Sequence, residues 1–305
     1  MSQPRQFTDR STIIFMVVLS VTCAVILSAL ASALKEPQEI AREIYRSKQM
    51  LVAAQVYSLD GHYFQIEDKE GKYIPAKYTE GGVLVPGAAT DLATQDQILD
   101  IYRRRIRSYL VNKEGKLETF QDAGLNEANY TKEFKKRGYY VQPLKLIYKL
   151  LPNPTKPDDT SIDNEVAGYI IPVNGYGLWD AIYGYLAIKP DGITVLGISW
   201  YEQKETPGLG ANISESPWQS LFPGKKIFQM ATNAADTNFE LAPIGITVVR
   251  GKVSEVYGDG PKAQSAVDGM AGATLTGNGV TTAYKDVLEA YRPFLVAVHE
   301  KYEKK

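Results

Sequence analysis

The residues best placed to do chemistry lie in the stretch 270–279, MAGATLTGNG. Its hydroxyls, Thr274 and Thr276, stand just before a long helical pattern, where the first backbone N–H groups of a helix lack intrahelical partners. A helix start of this kind attracts anions, phosphates above all. The two threonines therefore either hold a phosphate or cap the helix, and the pattern taken alone favours the cap.

Two further stretches combine glycine with residues that suit a binding loop. In ETPGLG (205–210), Pro207 followed by Gly208 favours a type II turn whose glycines let a flat ring lie against the backbone. A strand rich in aromatic residues is predicted by the stretch NGYGLWDAIYGY (174–185) when it is taken alone. Walker, dinucleotide-binding, G-x-S-x-G and H-E-x-x-H motifs do not occur in the sequence, so these stretches predict neither a nucleotide-hydrolysing nor a hydrolytic site.

The composition narrows the function classes. The chain has 305 residues and a net charge of -1, a near-neutral balance that gives no electrostatic footprint for nucleic acid, so nucleic acid is not predicted as a partner. The lone Cys23 cannot form an intrachain disulfide or ligate an iron–sulfur cluster. His62 and His299 are far apart and are expected at the surface, so no metal site is predicted.

The elements that must position the loops begin with residues 11–34, an uncharged apolar run long enough for one transmembrane helix. A cleaved signal peptide is the competing interpretation, because A-x-A patterns occur at 29–31 and 31–33. Arg5 and Arg10 precede the run, and the positive-inside rule then predicts a cytoplasmic tail (1–10) with the rest of the chain on the far side of the membrane.

Beyond the anchor, the hydrophobic pattern predicts an α+β fold: a largely antiparallel β-sheet flanked by helices. A helix is expected from about Pro37, and a second one over 95–111, where Arg103, Arg104, Arg105 and Arg107 form a solvated face or contact anionic lipid or a partner protein.

Residues 151–160 are a proline-rich loop that divides an N-terminal part (35–160) from a C-terminal domain (161–305). Strands are predicted at 166–173, 183–188, 193–200 and 244–256, with a hairpin turn at 189–192 and a C-terminal helix over 280–298 that Pro293 kinks or interrupts.

Several stretches together resemble one known family. GYGLWDAIYGYLAI (175–188), ETPGLG (205–210), DGMAGATLTGNGV (268–280), QMLVAAQVYS (49–58) and the anchor are similar to the C subunits of sodium-translocating NADH:quinone oxidoreductases, in the covalent-FMN-binding domain family. The third stretch resembles the flavinylation motif D-x-x-S-G-A-T, whose last residue carries FMN through a phosphoester and corresponds here to Thr274. Ala271 stands where that motif usually has Ser.

The resemblance implies roles for the loop residues. A Mg²⁺-dependent flavin transferase would take FMN from FAD, attach it to Thr274 and release AMP. Gly272 and Ala273 would leave room for the phosphate, and the helix start near Thr276 would stabilise its charge. The isoalloxazine would lie between two groups of residues, which are Leu178 and Trp179 on one side and Thr206, Gly208 and Leu209 on the other. Asp268 is assigned to flavin attachment or to the geometry of the helix start.

The resemblance also implies a single-pass subunit of a bacterial cytoplasmic membrane complex, surrounded by lipid, with its soluble domain in the periplasm. It would carry electrons on FMN toward quinone, with no catalytic residue of its own, and the NADH, quinone and sodium sites would belong to partner subunits. Two alternatives stay open. Subunits of ion-translocating ferredoxin:NAD oxidoreductases share the threonine motif but usually lack Gly177-Leu178-Trp179, and an anchored, non-redox binding or scaffold protein would use the motif only as a helix cap.

Overall fold

The computed structural model describes residues 9–157, 159 and 161–304. In chain order the helices and strands are α1 (Asp9–Ala53), β1 (Phe64–Glu67), β2 (Tyr73–Tyr78), β3 (Leu84–Pro86), α2 (Gln95–Arg105), β4 (Ile106–Val111), β5 (Leu117–Glu118), α3 (Glu127–Phe134), β6 (Lys145–Leu150), β7 (Gly168–Tyr176), β8 (Ala181–Ile188), β9 (Val195–Glu202), α4 (Ser216–Gln219), β10 (Thr247–Val248), α5 (Val253–Val256), β11 (Ala266–Val267) and α6 (Thr274–Glu303). Short 3-10 turns occur at Glu80–Gly82, Tyr139–Val141, Ser161–Asn164, Gly210–Ser214, Ala234–Asp236 and Pro261–Ser265. The predicted α+β class is confirmed.

The N-terminal part of α1 has the properties expected of a membrane anchor. Its large apolar side chains from Ile13 to Leu34 are at least half exposed. The hydroxyl of Thr22 donates to the carbonyl of Val18 at 2.8 Å, so this polar group is satisfied within the helix. Among the described residues, α1 is the one helix long and apolar enough to cross a membrane. Most of the predicted tail, residues 1–8 with Arg5, lies outside the described residues.

The larger sheet has the strand order β5-β4-β6-β7-β8-β9, and every pairing in it is antiparallel. Its side chains alternate between two apolar clusters. Ile171 and Leu186 belong to the cluster under α6, whereas their neighbours Ile170 and Ala187 belong to the cluster formed with Met50 and the N-terminal elements. The sheet is therefore buried on both faces. β6 and β7, which lie on either side of the predicted boundary at residue 160, are paired strands of this one sheet.

The hairpin predicted at 189–192 is confirmed. Gly192 has a φ of +73°, and the N–H of Lys189 donates to the carbonyl of Thr194 at 2.7 Å, which closes the turn between β8 and β9. Asp191 accepts from the N–H groups of Ile193 and Thr194 at 2.9 and 2.8 Å. Strands β7 and β9 begin two residues later than predicted and end two to three residues later, whereas β8 begins two residues earlier and ends as predicted.

The helix predicted over 95–111 is confirmed for 95–105 and wrong for 106–111, where the chain continues as strand β4. Ile106 already has extended backbone (φ -107°, ψ 126°), and β4 pairs with β6 along its whole length. As a strand, this segment places Leu110 in one apolar cluster and Val111 in the other. Burial on both faces stabilises the strand more than apolar residues at helical spacing would stabilise a longer helix. Arg105 is buried, not solvated as predicted, and its Nε donates to the carbonyl of Leu151 at 3.0 Å.

The strand predicted over 244–256 is mostly wrong as well. Only Thr247–Val248 is a strand, because Gly245 and Gly251 have positive φ values that break extended backbone, and Val253–Val256 is a short helix. His299 is half-buried, not at the surface as predicted, and its Nδ1 lies 2.9 Å from the carbonyl oxygen of Asp191. His62 is exposed, as predicted.

Helix α6 begins at Thr274, earlier than the predicted positions near 276 and 280, and it is not interrupted at Pro293. Proline removes one backbone hydrogen bond, but Tyr291, Phe294 and Leu295 beside it are almost fully buried. Each such side chain contributes roughly 1.5–3 kcal/mol on burial, enough to hold the turn in place.

Candidate functional site

The first wall of the site is the turn between β7 and β8. Leu178 and Trp179 occupy this turn, not a strand as predicted, and the N–H of Gly177 donates to the carbonyl of Asp180 at 2.9 Å. Both side chains are exposed, Leu178 by 49% and Trp179 by 68%. Two large apolar side chains that face solvent in one turn are typical of a binding surface.

The second wall is the loop after β9. Gly208 has a φ of +75°, and the N–H of Leu209 donates to the carbonyl of Thr206 at 3.1 Å, as the predicted type II turn requires. The indole Nε1 of Trp179 donates to the hydroxyl of Thr206 at 3.1 Å, so the two walls are joined. The exposed side chain of Leu209 adds an apolar surface to this wall.

Both walls are tied to α6 by a carboxylate that the sequence analysis did not single out. Glu205 is buried and accepts hydrogen bonds at 3.0 Å from the backbone N–H groups of both Leu178 and Trp179. The hydroxyl of Thr276 donates to the same carboxylate at 2.5 Å. Burial opposes the charged form of Glu205, but these hydrogen bonds outweigh it and lower the pKa of Glu205, so the carboxylate is ionised at neutral pH.

The two threonines of the 270–279 stretch differ sharply in their surroundings. Thr276 is buried and bound to Glu205, whereas Thr274 is exposed in the first position of α6 and its hydroxyl bonds to no residue that the structure describes. The N-cap residue is Ala273, which provides no side-chain cap, so the predicted capping role of the threonines is wrong. The first backbone N–H groups of α6 therefore have no side-chain cap at the end of the helix that carries Thr274.

The backbone before α6 turns sharply at Gly272, whose φ is +73°. A Cβ at this position would lie 2.9 Å from Cδ2 of Leu209, so glycine also permits the close contact with the second wall. Farther along, a Cβ at Gly279 would lie 2.0 Å from the carbonyl oxygen of Tyr176. The two glycines let α6 approach the loop and the end of β7 at the distance that forms the site.

Asp268 is hydrogen-bonded to the start of α5 and to Trp218. Its Oδ1 accepts from the N–H of Val253 at 2.8 Å, and its backbone carbonyl accepts from Nε1 of Trp218 at 3.0 Å. The residues just before Val253 include Arg250 and Lys252, which are both exposed. Asp268 thus positions a basic turn that lines a cleft with the start of α6, and its role in flavin attachment or helix-start geometry stays a prediction.

Two clefts meet at the start of α6. The smaller, about 190 Å³, is lined by the two walls and by residues 272–276. The larger, about 360 Å³, is lined by Arg250, Lys252 and residues 268–274. Thr274 lines both. An apolar cleft beside a cationic one fits an aromatic ring joined to a phosphate, so the residues present fit FMN.

The structure brings the predicted site residues together, except that Gly208 does not line either cleft and Asp268 lines only the larger. Glu205, Arg250 and Lys252 were not among the predicted site residues. Glu205 opens the loop that was noticed for its glycines, and the basic pair lay inside a segment taken for a strand. In the described part of the chain no group of three or more acidic, histidine or cysteine side chains is placed to hold a metal ion.

Residues 177–289, which include both walls and the start of α6, match the family described as FMN-binding domain. Over 293 residues the chain is 40% identical to the C subunit of the Na(+)-translocating NADH-quinone reductase of Chlamydia caviae, with 93% of this chain and 91% of that relative covered. The protein of the same name from Chlamydia pneumoniae is 38% identical over 299 residues, covering 94% and 92%.

A solved structure supports the fold. It is that of the C subunit of a Na(+)-translocating NADH-quinone reductase from Parabacteroides distasonis, which matches with a TM-score of 0.52 and 22% identity over 86% of this chain and 96% of that chain. The similarity to these curated relatives extends over 93–94% of the chain. The chain therefore belongs to the family of C subunits of Na(+)-translocating NADH-quinone reductases.

Proposed function

We propose that this chain is a membrane-anchored electron carrier of a Na⁺-translocating NADH:quinone reductase complex and that its FMN is esterified to Thr274. The observation that carries the proposal is the contrast between the two hydroxyls. Thr274 is exposed where an apolar and a cationic cleft meet, whereas Thr276 is buried against Glu205. Only the first is accessible to a modifying enzyme.

The walls of the smaller cleft would hold the isoalloxazine. Leu178, Trp179 and Leu209 supply apolar surface, and Thr206 supplies a hydroxyl already oriented by the indole of Trp179. FMN, once bound, supplies the redox chemistry, while these residues fix the position of the ring and exclude water from one of its faces.

Attachment needs one bond made and one broken. The Thr274 oxygen bonds to the FMN phosphorus of FAD, the bond from that phosphorus to the AMP oxygen breaks, and the hydroxyl proton passes to a base of the flavin transferase. Thr274 therefore needs no base within this chain. In the product, the phosphodiester lies at the N-terminus of α6, a position that stabilises an anion by roughly 0.3–1 kcal/mol at an exposed helix end.

The proposal is tested on the full-length chain co-expressed with a flavin transferase. We expect the intact mass to increase by one FMN less one water, and a flavin fluorescence band to survive denaturing electrophoresis. A chain of unmodified mass under these conditions would contradict the proposal, and a noncovalently bound flavin would restrict it to binding.

Arg250 and Lys252 would pair with the phosphate during and after attachment. Replacing both with alanine should slow flavinylation about tenfold, equivalent to about 1.4 kcal/mol, and reduce its sensitivity to salt. The measurement is the rate of flavin fluorescence gained by the folded apoprotein with transferase and FAD. As a charge-matched control, Lys262→Ala with Lys285→Ala, in a neighbouring cleft, should have little effect. An equal loss in the control would show that only overall charge matters.

The soluble domain would lie on the outer face of the cytoplasmic membrane, with Arg5 and Arg10 keeping the N-terminus inside. In a chain carrying Cys23→Ser and Thr282→Cys, we expect a membrane-impermeant maleimide to label intact spheroplasts as completely as lysed cells, since Thr282 is exposed on α6. Labelling that appears only after lysis would reverse the proposed orientation.

A further inference from the structure

Among the residues that the structure describes, Glu205 is the one acidic residue that lines the smaller cleft. It accepts hydrogen bonds from two segments that are far from it in sequence, the turn at 178–179 and α6. Its nearest acidic neighbour in sequence, Glu202, is half exposed and forms an ion pair with Lys135 at 2.6 Å instead. An ionised side chain that is buried beside a binding cleft is a candidate for tuning whatever binds there.

The surrounding backbone leaves space for this carboxylate. A Cβ at Gly177 would lie 2.4 Å from Oε1 of Glu205, and a Cβ at Gly210 would lie 2.8 Å from Oε2 and 2.5 Å from Oγ1 of Thr276. Glycine at both positions is therefore needed for Glu205 to reach the turn and the helix at once. The arrangement is a cradle for one carboxylate, built from the two walls of the site.

Through these contacts the geometry points to Glu205 as the positioning residue of the flavin site, which orients the turn that carries Leu178 and Trp179 and lowers the reduction potential of the flavin with its negative charge. This inference rests on the proposed function, because it assumes that a flavin occupies the smaller cleft. It adds a residue and a property that the proposed function does not include.

Electrostatics gives the direction of the effect. Reduction adds electron density to the isoalloxazine, and a nearby fixed negative charge raises the free energy of the reduced ring relative to the oxidised one. The effect is strong where water is excluded, and here protein groups, not water, solvate Glu205. The hydrogen bonds from Leu178, Trp179 and Thr276 keep Glu205 ionised, so the charge is present at neutral pH.

The test compares Glu205→Gln with Glu202→Gln in the full-length, flavin-loaded chain. We expect Glu205→Gln to raise the flavin midpoint potential by about 30 mV or more, a tenfold change in a two-electron equilibrium, and Glu202→Gln to leave it nearly unchanged. In the apoprotein, hydrogen exchange at the amides of Leu178 and Trp179 should accelerate at least tenfold in Glu205→Gln only. An unchanged potential in flavin-loaded Glu205→Gln would overturn the inference.

Thr276→Val keeps the inference testable if Glu205→Gln does not fold. It removes one donor from the carboxylate but leaves the charge and both backbone bonds, so the pKa of Glu205 should rise. Protonation of Glu205 removes its negative charge and so raises the flavin midpoint potential. In Thr276→Val this rise with falling pH should therefore begin at a higher pH than in the wild type. A purely structural residue would not cause such a change. An identical pH profile would overturn the inference. If the wild type carried no flavin, the proposed function would fail instead.

Discussion

Replacing Thr274 with valine should abolish covalent flavin attachment and leave the fold intact. Valine has nearly the shape of threonine but no oxygen to esterify, so the loss is complete and does not depend on enzyme concentration. The side chain is exposed and caps no backbone group, and substitutions at such positions usually change the free energy of unfolding by less than about 0.5 kcal/mol. The measurements are flavin fluorescence after denaturing electrophoresis and the thermal midpoint of the apoprotein.

Two other threonines of α6 provide the controls. Thr276→Val loses the hydrogen bond to buried Glu205 and should lower stability by roughly 1–3 kcal/mol, yet the folded fraction should still accept flavin at Thr274. Thr282 is exposed on α6, eight residues after Thr274, and Thr282→Val should alter neither flavin attachment nor stability. Flavin retained by Thr274→Val but lost from Thr276→Val would show that the wrong hydroxyl has been chosen.

Gly279→Ala should both destabilise the chain and disorder the site. The added Cβ would lie 2.0 Å from the carbonyl oxygen of Tyr176, a contact with backbone that no side-chain rotation relieves. Either α6 or the end of β7 must move, which costs about 1–3 kcal/mol and shifts the turn holding Leu178 and Trp179. Denaturant unfolding and the rate of flavinylation would both report the change.

Gly277→Ala is the matched control, two residues earlier in the same helix. Its Cβ would contact Cγ1 of Val248 at 3.1 Å, an atom at the end of a side chain that can adjust. Because alanine is favoured over glycine within a helix by about 1 kcal/mol, this variant should be neutral or stabilised. Equal destabilisation by both substitutions would show that glycine matters here for flexibility and not for close approach.

Sequence patterns predicted those parts of the fold that are stabilised by residues close to one another in the sequence. The 189–192 turn and the strands on either side of it depend on proline, aspartate, glycine and β-branched residues within a few positions of one another, and they are observed. The predicted helix 95–111 failed in its last six residues because 106–111 pair with β6, some 40 residues later in the chain. Periodicity within one segment carries no information about such a partner.

The same distinction applies to the candidate site. The stretches containing Thr274, Thr206 and Trp179 were found from glycines and a motif, which are local features. Glu205 was overlooked because its importance comes from bonds to residues 26, 27 and 71 positions away. Arg250 and Lys252 were overlooked for a related reason, since positive φ values at Gly245 and Gly251 turn a strand-like sequence into a loop.

The strand order of the larger sheet has a further consequence for how the chain behaves at high concentration. Unpaired sheet edges template aggregation, and this sheet ends in β5 and β9. The first is only two residues long, and the start of the second is covered by residues 224–227, where Val195 donates to the carbonyl of Lys225 at 2.8 Å and accepts from Gly224 at 2.9 Å. The short β5 and the covered start of β9 shorten the free rows of amides at the two ends, which reduces intermolecular strand pairing.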